Sequence, residues 1–144
     1  MRALCFRLTL LALAVTVAAC GKAPTQPSHY APFSQADLQA GTGDEAVPGA
    51  LLTVQYTVWL YHETEPDNKG PQIETSAGTT GLSFVLGQQQ VIRGWEEGIS
   101  GMREGGRRRI VTPPSYAYGQ TRNGLIPPNA TLVFDVELVE VTTS

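Results

Sequence analysis

Thr131-Leu-Val-Phe-Asp-Val-Glu-Leu-Val-Glu-Val141 sets Leu132, Phe134, Val136 and Leu138 against Val133, Asp135, Glu137 and Val139. The period is two, so the segment reads as a β-strand with one apolar face. Upstream, Arg107 to Thr112 repeats the pattern on a shorter scale, with Ile110 and Thr112 on one face and Val111 on the other. Leu82 to Leu86 makes another short strand. Ala50 to Leu60 supplies a second long one, rich in β-branched residues, with Leu52, Val54, Tyr56, Val58 and Leu60 as its core face. A short early strand is expected around Asp37 to Ala40.

One stretch departs from this period. Ile92, Trp95, Ile99 and Met102 are spaced three, four and three residues apart, which is one apolar face of a helix with Arg93, Glu96 and Glu97 outward. Gly98 and Gly101 are expected to weaken and end it. The chain therefore reads as an α+β fold, an antiparallel sheet of about five strands with a single short helix covering one face.

Composition agrees. The chain has 144 residues, 42% hydrophobic and 16% charged, which suits one folded domain and excludes both a disordered chain and a two-domain enzyme. Its 15 glycines and 10 prolines fit a sheet protein with many turns. A net charge of -3 gives no reason to expect nucleic acid as a partner. Two cysteines and two histidines argue against a disulfide-stapled or zinc-built fold.

The N-terminus reads as an address. Arg2 and Arg7 precede an uncharged apolar run over residues 8–19, the layout of a secretory signal peptide and too short for a bilayer span of about 20 residues. Val17-Ala18-Ala19-Cys20 resembles the lipobox of bacterial lipoproteins. The resemblance implies cleavage after residue 19, lipidation of Cys20 and stable membrane anchoring by two or three acyl chains. Gly21, in place of an Asp there, leans toward the outer membrane of a bacterial cell envelope. Residues 20–34 would then be the lipidated cysteine and a proline-rich tether, and residues 35–144 the domain.

The groups for covalent chemistry are missing. His29 lies in the tether and His62 just past a strand. There is no serine elbow, HExxH, P-loop or dinucleotide fingerprint. Arg107-Arg108-Arg109 could hold phosphate, but in an acidic chain it reads better as charges near the rim of a sheet. What remains is a set of rings, Tyr56, Trp59, Tyr61, Phe84, Trp95, Tyr116, Tyr118 and Phe134, that can build a core or line a pocket.

Three segments, in this order and spacing, resemble the FKBP-type peptidyl-prolyl cis-trans isomerases: Val91-Ile-Arg-Gly-Trp-Glu-Glu-Gly98, Pro113-Pro-Ser-Tyr-Ala-Tyr-Gly119 and Ile126-Pro-Pro-Asn-Ala-Thr-Leu-Val-Phe-Asp-Val-Glu-Leu138. Val54-Gln-Tyr-Thr57 and Phe84-Val-Leu-Gly87 also fit, so the likeness covers roughly residues 35–142. It implies a curved antiparallel sheet wrapped around one short helix with an apolar pocket between them. Trp95 would be the floor for a proline ring and Tyr56 and Phe134 its walls. Val91 and Ile92 would lie at the edge, the Ile92 N–H and the Tyr118 hydroxyl would meet substrate carbonyls, and Leu125 and Ile126 would belong to the flap. With the lipobox, the chain looks like the membrane-anchored isomerases of bacterial envelopes, some of them Mip-like. Mip's long dimerising helix has no counterpart in residues 21–34, so a monomer is expected.

The family commonly has a Phe-Asp pair where Ile73-Glu74 stands, a Phe at Leu82 and a Glu at Gln90. Residues 62–71 form an insertion. Glu74 is expected to join Tyr56, Trp95, Tyr118 and Phe134 as a catalytic residue, and Ile73, Leu82 and Gln90 to touch substrate. The implied partners are proline-containing polypeptides and macrolide inhibitors such as tacrolimus and rapamycin, with no cofactor and no metal. The Ile73-Glu74 departure keeps open an alternative, a membrane-anchored binder of proline-containing segments that has lost catalysis.

Overall fold

The computed structural model describes residues 29–143. The expected signal peptide, the expected lipidation site Cys20 and the expected tether up to residue 28 lie outside the described residues. The elements run β1 (Ser34–Gln39), β2 (Leu51–Tyr61), β3 (Lys69–Thr75), β4 (Leu82–Val85), α1 (Arg93–Ile99), β5 (Arg107–Thr112) and β6 (Leu132–Thr142). All six strands join one antiparallel sheet in the order β1-β5-β6-β2-β3, with β4 also on β2. β4 runs beside Leu51–Val54 and β3 beside Thr57–Tyr61, so the two short strands share one edge of β2. This is the expected curved sheet around one short helix, with one strand more than the alternation alone revealed.

β2 and β6 are the spine. Tyr56 faces Val136 and Val58 faces Phe134 across the ladder. Leu52, Val54 and Val58 from β2, and Leu132, Phe134, Val136 and Leu138 from β6, are buried in one core cluster with Ile99, Met102 and Ile110. The alternation of β6 slips at Val139, where the register with β2 shifts; Val139 is left exposed and Val141 turns inward. Val133 is fully buried although it lies on the other face, where its ladder partners are Trp59 and Val111.

The early strand begins at Ser34 rather than Asp37, and Phe33 just before it packs against the core. The helix explains two glycines. α1 stops at Ile99, one residue after Gly98, and Gly101 follows the Ser100 cap at a φ of 76°, as expected of the two glycines; Gly98 itself lies inside the last turn and is buried. A Cβ there would stand 2.7 Å from Ile110 Cδ1, and one at Gly94 would strike the Thr112 side chain. Lacking those atoms, α1 lies directly on β5.

The three arginines of β5 do not form a phosphate site. Arg108 is buried, with Nε donating to Asp37 Oδ1 at 2.6 Å and Nη1 donating to the Gly98 carbonyl at 2.9 Å. Its charge therefore sits at the C-terminal end of α1, where a cation is favoured. Arg109 forks onto Asp135 at 2.8 and 3.1 Å and also meets Asp67. Lys69 adds a 2.6 Å bond to Asp135, so the insertion is fastened to the outer face of the sheet. Burial would push the Asp135 carboxyl up, but the hydrogen bonds and charge of Arg109 and Lys69 hold it below its ordinary value. Arg107 alone of the three is exposed.

Candidate functional site

Between the sheet's concave face and the start of α1 lies a cavity of about 450 Å³. β2 gives it Tyr56 and Val58, β3 Glu74, β4 Leu82, β6 Phe134 and α1 Trp95. The loop before the helix adds Gln89, Gln90, Val91 and Ile92, and the loop after β5 adds Tyr118 and Ile126. Two-residue spacing on strands and the first turn of a helix converge here because both elements turn their apolar faces to the same core.

Trp95 is the centre of a ring cluster. Its indole meets Tyr56 edge-on with centroids 5.0 Å apart and Phe134 edge-on at 5.5 Å, and it tilts against Phe84 at 6.0 Å. Edge-to-face packing fixes Trp95 against Tyr56 and Phe134, each of these pairs adding about 0.5–1.5 kcal/mol beyond burial. Trp95 is only 4% exposed, and its Nε1 has no hydrogen-bond partner among the described residues. The floor is thus apolar and closely packed.

The polar groups stand at the rim. The Tyr56 hydroxyl donates to Glu74 Oε1 at 2.6 Å. Burial, then this bond and the Glu74 charge, push the Tyr56 phenol up to about 12. Burial and the same carboxylate raise Tyr118 as well, against a hydrogen bond to Asn123. Both phenols are neutral donors at any physiological pH, and Glu74 accepts from Tyr56. Ile92 caps α1 with extended backbone, and its carbonyl accepts from the Trp95 and Glu96 N–H groups at 2.9 and 3.2 Å. The Gln90 side-chain oxygen accepts from the Val85 N–H at 2.9 Å, which ties the rim loop to β4.

Most residues singled out from sequence come together here: Tyr56, Glu74, Leu82, Gln90, Val91, Ile92, Trp95, Tyr118, Ile126 and Phe134 all line the cavity. Two do not. Leu125 is 73% exposed, turned to solvent while its neighbour Ile126 turns in. Ile73 packs against the core cluster behind the cavity wall. The reason is a register shift: Glu74 faces Val58 and Gln72 faces Trp59, leaving Ile73 as the extra residue of a bulge. Strict alternation would send Ile73 and Glu74 to opposite faces, whereas the bulge lets one pack inward while the other reaches Tyr56.

Two lining residues were not singled out. Val58 lies two positions after Tyr56, so its face was legible. Gln89 adopts a positive φ of 54°, for which an all-glutamine stretch carries no signal. Glu96, expected to point outward, folds back so that Oε2 accepts from the Gly87 N–H at 2.6 Å.

A site of this kind has no nucleophile and no base placed against one. It can desolvate a bound group, grip a flat ring and offer hydrogen bonds at the rim. Comparison with known proteins narrows the choice. A family model described as FKBP-type peptidyl-prolyl cis-trans isomerase matches residues 43–139. The chain is 45% identical over 106 residues to an FK506-binding protein of Neisseria meningitidis serogroup A, covering 73% of this chain and 92% of that one. It is 40% identical over 105 residues to FK506-binding protein 1 of Gibberella zeae, covering 72% and 93%. Among solved structures, FkpA from Escherichia coli superposes with a TM-score of 0.64 at 37% identity, over 76% of this chain and 48% of FkpA. The chain thus spans about half the length of FkpA.

Proposed function

From the premise that this chain belongs to the FKBP-type peptidyl-prolyl cis-trans isomerases and is an enzyme of that activity, we propose that it isomerises X–Pro bonds of exported proteins at a bacterial cell envelope. The observation that carries the assignment of the site is the Trp95 floor, walled by Tyr56 and Phe134 within one cavity.

The reaction needs no covalent catalyst. An X–Pro amide turns over a barrier of about 18–20 kcal/mol in tens to hundreds of seconds. Its transition state is twisted, with amide resonance lost and less charge on the carbonyl oxygen. A dry, ring-lined cavity stabilises that state relative to the planar, more polar amide. About 10⁴-fold acceleration requires some 5–6 kcal/mol of such differential binding. In this reading the proline ring rests on Trp95 between Tyr56 and Phe134. The Ile92 N–H and the Tyr118 hydroxyl hold substrate carbonyls on either side of the turning bond. Glu74 fixes Tyr56 as a wall and keeps its hydroxyl from competing for substrate.

The intact Tyr56–Glu74 bond favours this reading over the non-catalytic binder. The extra methylene that distinguishes Glu74 from Asp is absorbed without loss of contact. Proline-containing polypeptides are the proposed substrates, and FK506-like macrolides would occupy the same cavity. The relatives' name, FK506-binding protein, supports that expectation.

The envelope location rests on residues 1–20, the apolar leader and the Val17-Ala-Ala-Cys20 tetrapeptide. Lipidation of Cys20, anchoring in the outer membrane and a monomeric state complete the proposal, a lipoprotein of Mip-like type. Two measurements test it. Turnover of a succinyl-Ala-Xaa-Pro-Phe peptide, abolished by tacrolimus, is expected; no turnover from folded protein would leave only the binder. Palmitate incorporation that vanishes in Cys20→Ala is expected, and label retained in that variant would remove the anchor.

A further inference from the structure

Phe33 closes the lead segment and precedes β1 by one residue. It is half-buried, packs against the core, and stacks on Tyr116 with centroids 4.9 Å apart and planes 16° from parallel. Tyr116 ends a single 3₁₀ turn, Pro114–Tyr116, two residues before Tyr118. The turn is held by backbone bonds from the Tyr116 N–H to the Pro113 carbonyl at 2.9 Å and from the Gly119 N–H to the Pro114 carbonyl at 2.9 Å. Arg93 lies over the same Tyr116 ring, its guanidinium carbon 4.2 Å from the centroid, and donates to Glu97 at 2.7 Å. Arg93 is the first residue of α1 and follows Ile92, its cap.

One ring, Tyr116, therefore touches the lead segment through Phe33 and the start of α1 through Arg93, and lies in the turn that presents Tyr118. The two hydrogen-bonding points proposed at the rim, the Ile92 N–H and the Tyr118 hydroxyl, hang on the two elements that Tyr116 joins. α1 also packs on β5, and the Tyr118 loop leaves β5 after Thr112.

We propose that Phe33 is a positioning residue for the isomerase reaction, a clasp from the lead segment that holds Tyr116 and through it the spacing between the Ile92 N–H and the Tyr118 hydroxyl. It touches no substrate. Its effect falls on the transition state, where both carbonyls must be held while the amide between them turns, so it acts on kcat more than on KM. The lead segment is then part of the working enzyme rather than a passive spacer, and anything that lifts Phe33 from Tyr116 slows turnover. The inference rests on the proposed placement of substrate at the rim.

The test uses the full chain and the variants Phe33→Ala, Phe33→Leu, Phe33→Tyr, Tyr116→Leu and the double Phe33→Ala/Tyr116→Leu, each assayed well below its melting temperature. Loss of a stacked aromatic contact should lower kcat/KM about 3- to 10-fold in Phe33→Ala, mostly in kcat. Phe33→Leu keeps apolar bulk without the flat face and should fall with it; it decides the matter if Phe33→Ala does not fold. Phe33→Tyr should return to within about twofold of wild type. The double variant should be no slower than Tyr116→Leu alone. Wild-type rates in folded Phe33→Ala or Phe33→Leu, or losses that multiply in the double variant, would overturn the clasp. The wild-type rate in the same assay reads the isomerase assignment itself, so the two failures are distinct.

Discussion

The Tyr56 hydroxyl and the Glu74 carboxylate are joined by a 2.6 Å hydrogen bond at the mouth of the cavity. A strand bulge makes this possible, since it turns Glu74 toward β2 without expelling Ile73 from the core. Tyr56 thereby becomes a fixed wall, and its phenol carries a proton up to about pH 12.

Glu74→Gln keeps an acceptor but removes the charge, so the Tyr56 pKa should fall from about 12 while burial, the largest cause, still holds it above its ordinary value. A phenolate absorbance titration, differenced against Tyr56→Phe, reads this. Between pH 6 and 9 wild-type kcat/KM should show no step from Tyr56, and Glu74→Ala should lower it several-fold by freeing the ring. A Tyr56 pKa unchanged in Glu74→Gln would show that the Glu74 charge does not act on the phenol.

Trp95→Leu should reduce kcat/KM by about 10- to 100-fold, equal to roughly 1.4–2.7 kcal/mol of transition-state binding, and weaken tacrolimus binding in parallel. Leu fills part of the indole's space, so the fold should persist. Peptide turnover and inhibitor titration check both, and wild-type efficiency in this variant would remove Trp95 from the site.

Gly98→Ala replaces a poor helix former with the best one, a gain of about 1 kcal/mol in an exposed helix. Here the sign should invert. The new methyl would stand 2.7 Å from Ile110 Cδ1 and must push α1 off β5. A net loss of about 1–3 kcal/mol is expected in urea denaturation, with Trp95 fluorescence shifted toward that of a more exposed indole.

Asp135 should govern part of the acid unfolding. Its folded pKa lies below the unfolded value of 3.8. The stability it contributes is complete above that value and is lost as pH falls through the lower folded one. Asp135→Asn should cost about 2 kcal/mol at pH 7, since Arg109 and Lys69 lose a charged acceptor. The difference from wild type should shrink as pH drops below 3.8. A difference that stays constant to the acid limit would show that Asp135 is not held by these partners.

How much of this was legible depends on whether a residue's role is set by its neighbours in sequence or across the sheet. The core faces of β2 and β6 were readable because alternation is a local property and both strands bury one face. So was the helix, and with it Trp95. β3 was placed only by likeness to the family, because Gly70 and Pro71 open it and its bulge breaks the period. The same bulge took Ile73 out of the cavity. Arg108 looked like a rim charge, since nothing local tells that Asp37 and the end of α1 wait for it. Gly98 and Gly101 were readable as the end of the helix, but not the packing role of Gly98: helix propensity describes the isolated segment, whereas the fold needs the absent methyl. Leu125 shows the limit in the flap, where no repeating pattern decides which of two adjacent apolar residues turns inward.

The order of strands has a consequence for the chain while it is being made. β6, last in sequence, lies in the middle of the sheet between β5 and β2, and β1 pairs only with β5. Asp37 must wait for Arg108, and Leu52 for Val141. A ribosome that has finished β5 has yet to deliver the strand on which both halves close, so the growing polypeptide has no finished sheet to hold it shut. Closure of the sheet therefore waits on β6, and the segments that precede it cannot complete the core by themselves.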